Sequence, residues 1–285
     1  KFTVVDLAKY MKWLANDLRP IIFKMAIFGL IYFDPQTDVI TIKNKLFEFV
    51  DNGKHKHDYD ILTLHSVLPG KDNATMNLMN YDITVRGIKS VLLSDTQKVF
   101  VFPKNGELIL KKNRRLDFSG TVASGKFEFV GKDYIFDYDA FKISMKTIDS
   151  IKIYVEAFEP DINGNIPFKK VQTLIENVNG ELRIDAPKNK SGYNKAPTFP
   201  SFTSFKDSYT YYDKRSIYKG VYNRDKFYFK LDPFNIDSLD NFRNEGLRFE
   251  GNFSSAGIFP TFKEILTLQK DYSLGFIRQT PPGGF

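Results

Sequence analysis

Gly120-Thr-Val-Ala-Ser-Gly125-Lys126 spells most of a phosphate-binding loop. Such a loop needs Ser or Thr next, to hold magnesium, and it must open a helix whose N-terminus receives the phosphate. Here the next residue is Phe127, and Lys126-Phe-Glu-Phe-Val130 alternates as a strand does. The match therefore reads as a coincidence within a structural repeat, a strand to Val122, a turn at Gly125 and a strand from Lys126. His55 and His57 are the metal candidates: on a strand they share a face and could bind zinc or copper through imidazole. Without a fourth ligand, the alternative is a solvated loop. Asp161-Ile-Asn163-Gly164-Asn165 begins like a calcium loop, but Ile166 and Gln172 stand where Gly and Glu are required. A turn is the better reading, with Glu156, Glu159 and Asp161 as a residual calcium possibility.

Other chemistry is thin. With no Cys, thiol catalysis, disulfides and zinc–thiolate sites are excluded. The three His fall between positions 55 and 65. No Gly-x-Ser-x-Gly, His-Glu-x-x-His or Rossmann glycine fingerprint occurs. Asp137 and Asp139 share a strand face beside a turn, where a solvated pair is expected rather than a glycosidase pair. No catalytic residue, ligand-binding residue or cofactor is assigned. Tyr209, Tyr211, Tyr212, Tyr218 and Tyr222 are the candidates for a sugar-binding face, against the alternative that alternate Tyr side chains pack inward.

The elements that must position these residues are mostly strands. The 285 residues include 28 Phe and 15 Tyr against one Trp, and flat rings favour a pleated surface. Net charge is +7, but acids and bases interleave outside Lys111–Arg115 and Lys188–Lys195, which reads as a solvated surface. No apolar run is long enough for a transmembrane helix. Residues 1–53 read as a small helical unit with a hairpin. Thr3 caps a first helix, Pro20 lies in the first turn of a second, and residues 30–33 and 39–42 pair. Lys45–Val50 forms a short third helix with Gly53 beyond it.

This order resembles a winged helix. Pro20–Phe28 would then enter a DNA groove, yet it carries only Lys24, and residues 1–53 hold seven Lys and Arg against six Asp and Glu. No nucleic acid is expected as a partner.

Residues 54–73 read as a connector around a strand at 61–65, 74–186 as an antiparallel β domain, 187–200 as a linker loop rich in Pro and Lys, and 201–285 as a second β section. Expected strands include 99–102, 107–110, 126–130, 134–137, 141–145 and 150–158. Turns are expected at Pro103–Gly106, Gly125 and Gly131–Asp133, and single helical turns at 172–175 and 236–242. A start without Met and an end at Pro281-Pro-Gly-Gly-Phe285 suggest a piece of a longer polypeptide. The fold class is mainly β with a small α/β N-terminal unit: an antiparallel repeat sheet or groove, or a sandwich.

A pattern recurs three times. Phe118-Ser-Gly120-Thr-Val122, followed by Lys126-Phe-Glu-Phe129, has a counterpart in Tyr218-Lys-Gly220-Val-Tyr222, followed by Lys226-Phe-Tyr-Phe229. Phe249-Glu-Gly251-Asn-Phe253 is a weaker copy. Each reads as a hairpin. These hairpins resemble the β-repeat regions of long uncharacterised cell-envelope proteins of the Bacteroidota type, and more distantly AsmA/TamB-like and LptA-like repeats. The resemblance covers about residues 74–285 and carries over no functional residue. It implies an elongated sheet curling into a groove, a periplasmic or outer-membrane location, and lipid, envelope proteins or the remainder of a longer chain as partners. The function it implies is that of a non-enzymatic scaffold or lipid-facing groove. The alternatives are a carbohydrate-binding or polysaccharide-processing module and a nucleic-acid-associated winged helix.

Overall fold

The computed structural model describes residues 1–54, 61–215, 217–279 and 282–283. The chain divides into two compact units, residues 1–59 and 60–285. In the first, strand β1 (Phe2–Thr3) leads into helix α1 (Val4–Met11), helix α2 (Ala15–Ile27), strands β2 (Ile31–Asp34) and β3 (Val39–Ile42), and helix α3 (Asn44–Lys54). Thr3 caps α1 in a reciprocal box: its hydroxyl accepts from the Asp6 backbone N–H, and the Asp6 carboxylate accepts from Thr3. Val4, Ala8, Leu18 and Ile22 then face Ile31, Phe33 and Ile40 to form this unit's core.

Two boundaries differ from expectation. Helix α2 begins at Ala15, so Pro20 sits inside it rather than in its first turn. Pro20 leaves one backbone hydrogen bond of the second turn unmade, and its ring crowds the carbonyl of the preceding turn. Helix α3 runs through Gly53 to Lys54.

The second unit is one large antiparallel sheet system. Its strands are β4 (Ala74–Met76), β5 (Ile83–Val85), β6 (Val91–Ser94), β7 (Val99–Leu110), β8 (Leu116–Ser124), β9 (Phe127–Asp137) and β10 (Lys142–Glu156). They continue with β11 (Phe168–Lys170), β12 (Ile175–Arg183), β13 (Ser201–Ser204), β14 (Ser208–Tyr211), β15 (Phe227–Leu231), β16 (Asn235–Ile236), β17 (Arg248–Ser255), β18 (Phe262–Leu268) and β19 (Leu274–Gly275). The main path runs β19-β18-β17-β15-β14-β12-β10-β9-β8-β7-β5-β4 and does not return on itself. The sheet forks where β13 and β14 both pair with β12, and β13 carries β16.

The expected turns at Pro103–Gly106 and Gly131–Asp133 are not turns. Each lies within a single long strand, as does the expected break between 145 and 150. Ladder registers shift between Pro103 and Leu108, between Phe118 and Gly120, and between Met145 and Ile148. These irregularities lie side by side across β7, β8, β9, β10 and β12, where Gly120 pairs with Gly131. Turn-forming residues thus serve as β-bulges that bend these five neighbouring strands together. Gly120 is needed there: its φ is 143°, and a Cβ would overlap the Phe102 carbonyl on β7.

Three further expectations change. Residues 61–65 form no strand; only a bridge between Ser66 and Ile88 occurs nearby. Neither 172–175 nor 236–242 is helical. Residues 187–200 do not separate two β sections, since β12 and β13 on either side pair directly. The loop is anchored through buried Asp185, whose carboxylate accepts from Gln97 Nε2 at 2.6 Å and from Asn189 Nδ2 at 3.1 Å. Lys190 is buried too, its ammonium 5.3 Å from the Tyr138 ring and bonded to the Pro187 carbonyl.

One face of the bent sheet is apolar and covered. Phe118, Val122, Phe127, Phe129, Tyr134, Phe136, Ile143, Met145, Ile151 and Ile153 alternate inward and are all buried. The chain between β15 and β17 and strand β13 fill the space over them. Phe242 packs edge-on to Phe127 at 5.4 Å, Phe202 lies 4.7 Å from Phe129, and Phe234 lies 6.0 Å from Phe202.

Candidate functional site

With the apolar face covered, ligand chemistry is left to the outward face, and its most organised part is on β12, β14, β15 and β17. Ser208 and Thr210 point into the core, so Tyr209 and Tyr211 point out. On β15, Phe229 and Leu231 point in, so Tyr228 and Lys230 point out. Register then sets two cross-strand rows. Glu176, Tyr209, Lys230 and Asn252 form one; Tyr211, Tyr228 and Ser254 form the other. Tyr209 stacks on Tyr211 with ring centres 5.8 Å apart and meets Tyr228 edge-on at 5.8 Å.

Arg224 closes one end of this surface. Its guanidinium lies 3.9 Å from the Tyr211 ring centre and donates to Asp213 and to Glu176, both at 2.8 Å. The bonds to Asp213 and Glu176 raise its already high pKa, so it is a fixed cation whose charge is answered twice. Burial pushes the Tyr211 phenol above its ordinary value, opposed by the Asn177 amide that donates to it at 3.2 Å and by Arg224. Lys230 is held charged by Asp207 at 2.7 Å. The surface offers neutral phenols, amides and internally paired charges. Such a set can stack on and hydrogen-bond a neutral polar ligand.

Of the five tyrosines singled out in the sequence, only Tyr209 and Tyr211 share this face. Tyr212 turns inward against Phe227 and Phe253, and burial raises its phenol pKa. Tyr222 stacks on Phe227 at 4.0 Å, and Tyr218 is exposed beside it. Tyr228 and Arg224 were missed, although the alternation Phe227-Tyr-Phe229-Lys marks Tyr228 as opposite in face to its Phe neighbours.

The other candidates do not assemble. Gly120–Ser124 lies on strand β8 and only Gly125 and Lys126 form the hairpin turn, with Lys126 donating to Glu156 at 2.8 Å and to the Phe242 carbonyl at 2.7 Å. That bond holds the Glu156 carboxyl below its usual range, and Glu156 is thereby engaged away from Glu159 and Asp161. The Asp161 carboxylate accepts from the Asn163 and Asn165 backbones, the turn expected of it. Asp139 pairs with Arg114, and Asp137 accepts from the Ala140 backbone. Lys111 and Arg115 are answered by Asp82 and Asp117. His55 and His57 lie outside the described residues. Among the described residues, no three His, Asp or Glu side chains converge as a metal would require, and no helix is long and apolar enough to cross a membrane.

On the outer side of the bulge row is a depression of 550 Å³ lined by Lys104, Glu107, Asp117, Ser119, Asp133 and Lys146. Its lining holds both signs, Lys104 and Lys146 with Glu107, Asp117 and Asp133. Tyr134 borders it, and the hydroxyl of that side chain is buried without a hydrogen-bond partner.

No family model, no curated protein and no solved structure matches this chain. Nothing in the comparisons or in this geometry points to catalytic activity.

Proposed function

We propose that the chain is a non-enzymatic β scaffold, a segment of a larger cell-envelope protein, whose long bent sheet serves shape rather than transport. The observation that carries this reading is the covered apolar face: Phe202, Phe234, Leu239 and Phe242 occupy the volume over β8–β10 that a lipid-conducting groove leaves open. A scaffold needs its interior for stability, since burying apolar area is the main favourable contribution to folding. Organic extraction of the purified chain followed by mass spectrometry tests the choice. The scaffold reading expects no stoichiometric lipid; one acyl lipid per chain would restore the groove.

Carbohydrate binding is a second reading, favoured by the outward Tyr209–Tyr211–Tyr228 cluster with its amide and hydroxyl neighbours. Its mark would be retention on a polysaccharide column that Tyr209→Ala abolishes. The nucleic-acid alternative draws little support from α2, whose exposed positions include Ile21, Phe23 and Ile27, with Asn16, Asp17 and Lys24 as its exposed polar side chains.

A further inference from the structure

The corner between α1 and α2 carries four consecutive or near-consecutive exposed apolar side chains, Tyr10, Met11, Trp13 and Leu14. Lys12 takes a left-handed conformation that ends α1, and the Trp13 backbone N–H donates to the Ala8 carbonyl at 3.0 Å. The chain therefore reverses in a tight, hydrogen-bonded tip. Tyr10 is 88% exposed, Leu14 72%, Trp13 51% and Met11 41%. They are not an unfinished part of the core, because Val4, Ala8, Leu18 and Ile22 fill that core from the other sides of the same helices. Lys9 and Lys12 flank them, both exposed. Among the described residues neither is in an ion pair, and residues 9–14 contain no acid. The nearest acid before the tip, Asp6, is held by Thr3.

We infer that residues 9–14 dock on an anionic lipid surface. An indole, a phenol and two aliphatic side chains can enter the headgroup boundary, where amphipathic rings are favoured. Two ammonium groups beside them complement a negative leaflet. Charge decides between occupants. In a self-complementary contact between two copies, each apolar patch would bring Lys9 and Lys12 against their own equivalents. An anionic bilayer answers the same charges. This inference stands on the first unit alone and holds or fails independently of the scaffold reading.

Trp13 is the only tryptophan in the chain, so tryptophan emission reports this tip and nothing else. The full chain is titrated with vesicles of phosphatidylcholine containing one quarter phosphatidylglycerol, and with pure phosphatidylcholine vesicles. The expected result is a blue shift and co-sedimentation with the anionic vesicles, both reduced by high salt. A surface lysine contributes on the order of 1 kcal/mol to such binding, so Lys9→Gln and Lys12→Gln should each weaken it roughly fivefold. Leu14→Ser should weaken it while leaving the reporter in place, and unchanged circular dichroism confirms that each exposed variant folds. The inference is overturned by equal shifts with neutral and anionic vesicles, by no shift with either, or by a blue shift that grows with protein concentration in the absence of vesicles. The last outcome would assign the tip to a second copy of the chain.

Discussion

Residues 118–129 make a two-stranded hairpin. Residues 218–229, with the same aromatic-x-Gly-x-hydrophobic spacing and the same Lys-Phe-x-Phe run, make a 3₁₀ turn, a loop and a single strand. The difference lies in what waits beside each copy. In the first, β7 and β10 flank the pair, so both β8 and β9 find a full ladder on each side. In the second, β14 and β17 already occupy both edges of β15, leaving no edge for 218–222 to join. Gly120 consequently sits in a strand pressed on the Phe102 carbonyl, while Gly220 has φ 74° in a turn. Val122 is buried between strands, whereas Tyr222 lies over Phe227. The weakest copy does form a hairpin: Phe249, Gly251 and Phe253 lie on β17, paired with β15 and β18. Local pattern proposes a strand; a free edge decides whether it forms.

The largest expected effect comes from the two glycines. Gly120→Val places a side chain where the Phe102 carbonyl lies and should cost about 3 kcal/mol or more, or prevent folding. A Cβ at Gly220 would press on the Asp213 carbonyl at 3.0 Å and otherwise make ordinary contacts with the Arg215 backbone, so Gly220→Ala should cost about 1 kcal/mol, mainly from its positive φ. Urea unfolding of both variants gives the difference, and equal losses would break the comparison. Next come the paired phenylalanines. Phe127 is fully buried, and Phe127→Ala should cost about 3–5 kcal/mol; Phe227 is half-buried, and Phe227→Ala should cost about half that.

The smallest effect sharpens the first region's account. Burial, with a contribution from Asp149, raises the Tyr134 phenol pKa well above the ordinary 10.0. The unfolded chain therefore releases this proton at lower pH than the folded one, and stability is intact below pH 10 and falls as pH rises beyond it. Near neutrality Tyr134→Phe should change stability by at most about 1 kcal/mol, because the hydroxyl has no partner to lose. Above pH 10 it should remove about 1.4 kcal/mol per pH unit from the alkaline decline. Denaturant midpoints at pH 8, 10 and 11 measure both, and an unchanged alkaline slope would place the phenol in solvent.

The fold class was legible because alternation is written locally: Phe127-Glu-Phe129-Val shows its faces without any partner. The capped start of α1 was legible for the same reason, Thr3 and Asp6 being three residues apart. The bulge row was not. Pro103, Gly106 and Gly131 signal a break in direction, and nothing along the chain tells a reversal from a bend. That distinction depends on the neighbouring strand carrying its own irregularity at the same level. The tyrosine face was half legible: Tyr209 and Tyr211 declare a shared face by spacing, but Arg224 reaches them only through pairing with Asp213 and Glu176.

The order of strands along the main sheet has a consequence for assembly. From β7 to β10, and again from β14 to β15 and from β17 to β19, each strand lies beside its neighbour in sequence. Short loops close the β7–β10 and β17–β19 runs, while residues 212–226 join β14 to β15, so the entropic cost of adding a strand is small in the first two runs. As the chain emerges from the ribosome, each of these strands meets a partner already made, so this part of the sheet can grow in the order of synthesis. The pairing of β13 with β16 reaches across two intervening strands, β14 and β15. It waits for residues made after β15, and with Phe202 and Phe234 it closes the cover over Phe129 before β17, β18 and β19 join the sheet.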